Sequence, residues 1–213
     1  MSTNKHLINL YNSHYKTYGA TPEGLGWGIK DRTALRYQIL ASRWNLDGTS
    51  ILDVGCGFGD FYGFLIQKKT KRLLYTGLDI NPTFIHIAKE RYPKGKFIVH
   101  DLVEDTSIKT YDYVFASGLF NDRIPKAKQR IIQFLKAINA HTNKGFAVNF
   151  LSDKVDYQLP HANHTNPAWA LDLCYTFSNN IVLRNDYMPF EFTIFVDRDE
   201  PFDKTHAIYK RFL

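Results

Sequence analysis

From residue 50 onward, short apolar runs alternate with stretches whose apolar residues recur every three or four positions. SILDVG, LLYTGLDI, KFIVHDL, YDYVFASG and FAVNFLS are the apolar runs, each of a length suited to a strand buried on both faces. FYGFLIQK, PTFIHIAKERY and PKAKQRIIQFLKAIN carry the helical period, the second with Pro82 near its first turn, where a missing N–H breaks no helical bond. This alternation predicts a parallel sheet with helices on both faces. Near the end the rhythm changes: NPAWALDLCYTFS reads as a helix, and NIVLRNDYM and FEFTIFVDRD follow with only a short connection between them. Strands joined so closely pair antiparallel, because a parallel crossover needs about a dozen residues or more. The fold expected is α/β, a doubly wound sheet of seven strands, mostly parallel, with an antiparallel last strand.

The first 48 residues lack strand patterning. LINLYNSHYKTYG and DRTALRYQILASRWN read as helices, and GATPEGLGWGIK between them as a Gly-rich loop. No repeat or low-complexity linker divides the 213 residues, so one domain is expected over 1–213, with a helical cap or lid at 1–48 and the α/β core at 49–213. At 44% hydrophobic and 23% charged residues the chain is globular rather than disordered, and 15% aromatic residues allow a ring-lined pocket. The net charge of +6 is spread along the chain; Lys68, Lys69, Lys71 and Arg72 form the one cluster, at a turn, too short a run to argue RNA binding. Two cysteines are too few for a disulfide framework, and neither a signal-like N-terminus nor a run approaching about 20 apolar residues is present. A cytoplasmic protein without a membrane partner is expected.

Candidate chemistry begins in ILDVGCGFGD, residues 51–60. Counted from Gly55 and Gly57, the dinucleotide fingerprint G-x-G-x-x-G would place its third glycine where Asp60 stands, and no G-K-[ST] follows for a Walker loop. The pattern is instead D-x-G-x-G-x-G, from Asp53 through Gly55, Gly57 and Gly59. It resembles the first motif of the class I S-adenosylmethionine-dependent methyltransferases, small bacterial-type single-domain members in particular, whose core is Rossmann-like. In that family the bare turn lies against the amino-acid part of the cofactor, which implies contacts from Asp53, Gly55, Cys56, Gly57 and Gly59. The resemblance extends to Asp79, about 20 residues beyond the glycines, where a carboxylate accepts from ribose hydroxyls, and to Ile80 against the adenine. HDL then implies Asp101 at the adenine amino group with Leu102 beside it, and SGL implies Ser117, Gly118 and Leu119 along the channel to the acceptor. YGATPEGLGWGIKDRTALR resembles the N-terminal segment of the same subgroup; there Trp27 could cover the ligand and Arg36 could pair with the methionyl carboxylate. A core Trp, a surface Arg, a loop-fixing Asp53 and a merely packed Cys56 are the structural alternatives.

The implied reaction is methyl transfer from S-adenosylmethionine, leaving S-adenosylhomocysteine. Ligands of open α/β sheets bind beyond the carboxyl ends of the strands, which selects Asn121, Ser152, Asp153, Asp186 and Tyr187. Tyr11, His14, Tyr15 and Tyr18 on the cap could close over them, and of all these His14, Tyr18, Asp186 and Tyr187 are the candidates for the acceptor side. His161 and His164 lack a Cys or H-E-x-x-H context, so no metal is expected. SGLFN stands where N-P-P-[YFW] enzymes carry their motif, and no RNA-binding module is evident. The expected acceptor is a small polar metabolite methylated on oxygen or nitrogen. An RNA or protein methyltransferase and a non-catalytic nucleotide-cofactor-binding protein are the alternatives.

Overall fold

β1 (Ser50–Val54) and β2 (Leu74–Asp79) pair in parallel with Ile51 opposite Tyr75 and Asp53 opposite Gly77, so alternate residues face opposite sides of one sheet. The computed structural model describes residues 3–27, 30–198 and 202–212. α1 (Thr3–Tyr18) and α2 (Lys30–Leu40) precede the sheet. α3 (Asp60–Gln67), α4 (Pro82–Arg91), β3 (Lys96–Val99), β4 (Tyr111–Ala116), α5 (Ala127–Ala140) and β5 (Thr142–Ser152) continue the alternation. β6 (His164–Thr165), α6 (Pro167–Tyr175), β7 (Asn180–Arg184) and β8 (Glu191–Asp197) complete the sheet, and β9 (Phe202–Asp203) pairs with β10 (Ile208–Tyr209) in a separate hairpin.

The strand order is β3-β2-β1-β4-β5-β8-β7. Every pair from β3 to β5 is parallel, and β8 runs antiparallel to both β5 and β7. The seven expected strands are present, with two-residue β6 added beside the end of β5. One sheet face carries Leu52, Val54, Val114, Phe146 and Val148 against Ile131, Leu135 and Ile138 of α5 and Ala170 and Cys174 of α6. The other carries Ile51, Tyr75, Phe97, Phe115 and Ala147 against Leu40 of α2, Phe61 and Leu65 of α3 and Ile85 of α4. The sheet is thus doubly wound.

Two helices depart from their predicted bounds. α2 stops at Leu40 rather than near Asn45, because Arg43 and Trp44 turn onto the last long strand: both bond Asp197, Trp44 Nε1 at 2.6 Å, and the indole stacks on Tyr113 at 4.7 Å. α1 starts at Thr3, one turn before Leu7, and Asn4 in that turn bonds the loop after β3. Beneath the cap, Leu25, Phe58, Phe84 and Ile87 form a small buried cluster with Tyr11 and Tyr15 leaning on it. Among the described residues no helix is long and apolar enough to cross a membrane.

Candidate functional site

The chain leaves β1 outward through β2 and β3 and returns to β4 on the other side of β1, so the carboxyl ends of β1 and β4 flank a topological switch point. The glycines sit there. Gly55, Gly57 and Gly59 have φ of 76°, 53° and 79°, a left-handed backbone that side chains adopt only with strain. A Cβ on Gly57 would lie 2.9 Å from Leu25 Cδ2, and one on Gly118 2.8 Å from Trp27 Cζ2, so the cap rests directly on bare backbone at both positions. The N–H groups of Gly55 and Cys56 donate to Leu78 O at 2.8 and 2.9 Å, and that of Gly57 to Asp79 Oδ2 at 3.0 Å, which clamps the turn to β2.

Two carboxylates lie beneath and beside this turn. Asp53 is buried, accepts from the Tyr75 hydroxyl, and is pushed up to about 7 by burial; the Tyr75 bond opposes the shift. Asp79 opens toward the cavity on one side and is enclosed on the others; burial pushes it up to about 6 against the amides of Asn81 and Gly57. Each carboxylate oxygen has two acceptor sites, so Asp79 can keep these amides and still accept from a ligand hydroxyl.

The cavity here has a volume of about 1180 Å³ when the open solvent at its mouth is included. Trp27, Asp53, Gly55, Cys56, Gly57, Asp79, Ile80, Asp101, Leu102, Ser117 and Gly118 all line it, brought together from five separate segments. Ser117 is buried, and its Oγ has no partner among the described residues. Phe120, Ile124, Ile131 and Phe134 form an apolar wall.

α1 roofs the cavity with Leu7, Ile8 and Tyr11. Its polar side chains reach three different strand ends: Asn4 Nδ2 donates to Asp101 Oδ2 at 2.6 Å, the Tyr11 hydroxyl to Asp122 Oδ2 at 2.6 Å, and Asn81 Nδ2 to Asn12 Oδ1 at 2.9 Å. Arg130 Nη2 closes the first contact by donating to Asn4 Oδ1 at 2.8 Å.

Arg36, Gly59, His14, Tyr18, Asp186 and Tyr187 lie outside the lining, as do Tyr15, Asn121, Ser152 and Asp153. Arg36 is buried, but its Nε donates to Glu191 Oε2 at 2.6 Å and its guanidinium lies 5.0 Å from the Trp27 ring, so it supports the indole from behind. Asn149 continues this network: its Nδ2 donates to Glu191 Oε1 at 2.8 Å, and its Oδ1 accepts from Gly118 N–H at 2.7 Å. The Tyr187 hydroxyl bonds Thr193 Oγ1 at 2.8 Å and Glu191 at 3.3 Å, and burial raises it. Asp186 is exposed, bonded to Arg184 and lowered by that bond. Gly59 packs under Phe97 and Tyr92. His14 faces Gly26 with a buried Nδ1 that has no partner among the described residues, while Tyr18, at the helix end, is 54% exposed.

Asn4, Leu7, Ile8, Asn81, Asp122 and Arg130 complete the site and were not anticipated. Helical spacing held the missing signal for the roof, since Leu7 and Tyr11 recur at i+4; His14 and Tyr18 continue the same face further along α1, beyond the lining. His164 has both ring nitrogens engaged, with Ser152 O and Leu159 N, and among the described residues no cluster of His, Cys, Asp and Glu could hold a metal.

A family model described as a methyltransferase domain matches residues 52–145, from within β1 to the start of β5. Residues 52–145, under half of the chain, are thus similar to a methyltransferase domain. A demethylmenaquinone methyltransferase of Thermotoga maritima is 28% identical over 125 residues, which are 57% of this chain and 53% of that protein. A trans-aconitate 2-methyltransferase of Rhodopseudomonas palustris is 29% identical over 90 residues, 42% of this chain and 35% of that one. The chain thus spans about half or less of these curated relatives. The fold is shared with the magnesium protoporphyrin IX methyltransferase of Synechocystis PCC 6803, solved with bound S-adenosylmethionine: TM-score 0.68, 15% identity, 93% of this chain and 98% of that one.

Proposed function

We propose that the protein is a methyltransferase that binds S-adenosylmethionine in the roofed cavity and methylates oxygen or nitrogen of a small acceptor. One observation carries the reading: a left-handed glycine turn, the carboxylate ending the next strand and the buried Ser117 converge on a single cavity at the switch point. The lining suits a nucleoside with an amino-acid tail. Gly55, Gly57 and Gly118 present bare backbone in the lining, packed by Leu119, Leu25 and Trp27, Asp79 offers acceptors to two ribose hydroxyls, and the Ser117 Oγ, unpartnered among the described residues, offers a partner to a polar tail. Ile80 and Leu102 supply apolar contact for a purine, with Asp101 at its edge and Trp27 over the turn.

When bound, the cofactor supplies a methyl group activated by its sulfonium. The chain's own part is orientation and exclusion of water, because an in-line displacement needs the acceptor atom held about 3–3.5 Å from the carbon it attacks. Leu7, Ile8 and Tyr11 close the cavity, and Arg36 and Glu191 hold Trp27 and, through Asn149, the Gly118 backbone. The roof favours a small acceptor over RNA or a folded protein. The Lys68, Lys69, Lys71 and Arg72 run lies between α3 and β2, at the amino end of the strands and away from the cavity. The relatives are named for demethylmenaquinone, trans-aconitate and magnesium protoporphyrin IX, three unlike small molecules, which agrees with that choice.

Incubation with S-[methyl-³H]adenosylmethionine and pools of small hydroxyl and amino compounds, RNA and protein tests the reading. Label appearing in a small compound is the expected result; label confined to RNA or protein contradicts the acceptor class.

A further inference from the structure

Tyr11 and Asp122 meet across the cavity, and they are held in different ways. Asp122 stands on a fixed platform: its backbone bridges antiparallel to Ala162, the N–H groups of Arg123 and Asn163 donate to His161 O and Asn121 O at 3.0 and 2.8 Å, and Asn163 Nδ2 donates to Phe120 O at 3.0 Å. Tyr11 belongs to α1, a helix with no fully buried residue. The hydroxyl donates to Asp122 Oδ2 at 2.6 Å, and both residues line the cavity.

The other cavity carboxylates already have donors of their own. Asp53 is bonded by Tyr75, Asp79 by two backbone amides, and Asp101 by Asn4 and the Val103 amide. Among the described residues Asp122 makes no ion pair, and its charge is answered by the Tyr11 hydroxyl. Arg130, the nearby lining cation, answers Asp101 and Glu104 instead. The titratable neighbours of Tyr11 are Asp122, Asp79 across the cleft and His14 on its own helix, 6.0 Å away ring to ring. Burial, then the Asp122 charge, raises Tyr11 well above the usual phenol range, so at neutral pH it is a hydroxyl that can relay a proton and not a phenolate.

Resting on the methyl-transfer reading above, we propose that Tyr11 is a catalytic residue and Asp122 the base behind it, together taking the proton that a hydroxyl or neutral amine acceptor releases. The acceptor's O–H or N–H donates to the Tyr11 oxygen. As the acceptor's lone pair bonds the methyl carbon, the carbon–sulfur electron pair stays on sulfur. The acceptor proton passes to the Tyr11 oxygen, and the proton already on Tyr11 passes to the Asp122 carboxylate. Asp122 then releases it to water when product leaves and α1 lifts. The step needs no further co-reactant.

The full chain co-crystallised with S-adenosylhomocysteine gives the first readout. An attack distance of about 3–3.5 Å and a relay bond of about 2.6–3.2 Å place the sulfur within roughly 8 Å of the Tyr11 oxygen. A sulfur more than about 10 Å away, or screened from Tyr11 by Trp27, overturns the assignment. Absence of the ligand from the cavity overturns instead the methyl-transfer reading on which it rests. The second readout compares Tyr11→Phe and Asp122→Asn with wild type on a hydroxyl or amino compound that wild type methylates. Both variants should bind S-adenosylhomocysteine within about threefold of wild type while kcat falls by about 10²–10⁴, and the pH dependence of kcat should flatten in Asp122→Asn. Unchanged kcat in both, or a loss confined to S-adenosylhomocysteine affinity, reduces the pair to a structural latch and contradicts the proposal.

Discussion

Asp53 and Glu191 show how the site is held from below. Asp53 titrates near 7 in the folded chain because it is buried, with Tyr75 as its donor. Its ordinary value is close to 4, so between about pH 4 and 7 the folded state holds a proton that the unfolded chain has released. The stability it contributes is therefore present at the acid end of this window and is lost as pH rises through about 7. Thermal melts of Asp53→Asn beside wild type should show the variant gaining on wild type from pH 4 to 7; a constant gap would mean that burial does not set this carboxyl's titration. At the other side of the site, Arg36 and Glu191 are both buried, and Glu191 also accepts from Asn149 and Tyr187. Arg36→Ala strands that charge and should cost about 3–5 kcal/mol in urea melts, partly restored by adding Glu191→Leu. A single variant within about 0.5 kcal/mol of wild type would show that the pair is not a structural unit.

At the scale of elements, the sheet and its helices were legible because periodicity and turn residues agree: Pro82 and the Asn81 cap start α4, and Pro167 and the Asn166 cap start α6. The glycine turn and Asp79 stand out by their resemblance to a family motif, not by periodicity. What sequence could not supply was the pairing of distant charges. Arg36 looked available for a ligand carboxylate, and only the fold brings Glu191, 155 positions away, against it. The short β6 and the β9–β10 hairpin rest on two-residue ladders and carry no periodicity to read. α1 poses a dynamic question. It has no fully buried residue and is tied down by Asn4, Tyr11 and Asn12, so it belongs to the least stable part of the structure. Hydrogen exchange should find α1 amides opening faster than those of β1 or β4, and slowing about tenfold or more when S-adenosylhomocysteine fills the cavity beneath them. Unchanged α1 exchange on binding would show that the helix does not act as a roof.

For the whole molecule, charge and cavity point in different directions, and geometry decides between them. The net charge of +6 would draw polyanions in general, yet the basic cluster and the cavity lie at opposite ends of the strands. Any nucleic-acid affinity should therefore be weak and fall steeply with salt, while cofactor binding stays nearly unaffected between about 50 and 200 mM. Titration calorimetry of wild type and Asp79→Asn, each with S-adenosylhomocysteine and with NAD, tests most directly whether the glycine turn and Asp79 form a site for a methionyl nucleoside. S-adenosylhomocysteine should bind wild type and lose about 1.5–3 kcal/mol in Asp79→Asn, with no heat from NAD. NAD binding in place of S-adenosylhomocysteine, or equal affinity in both proteins, would contradict it.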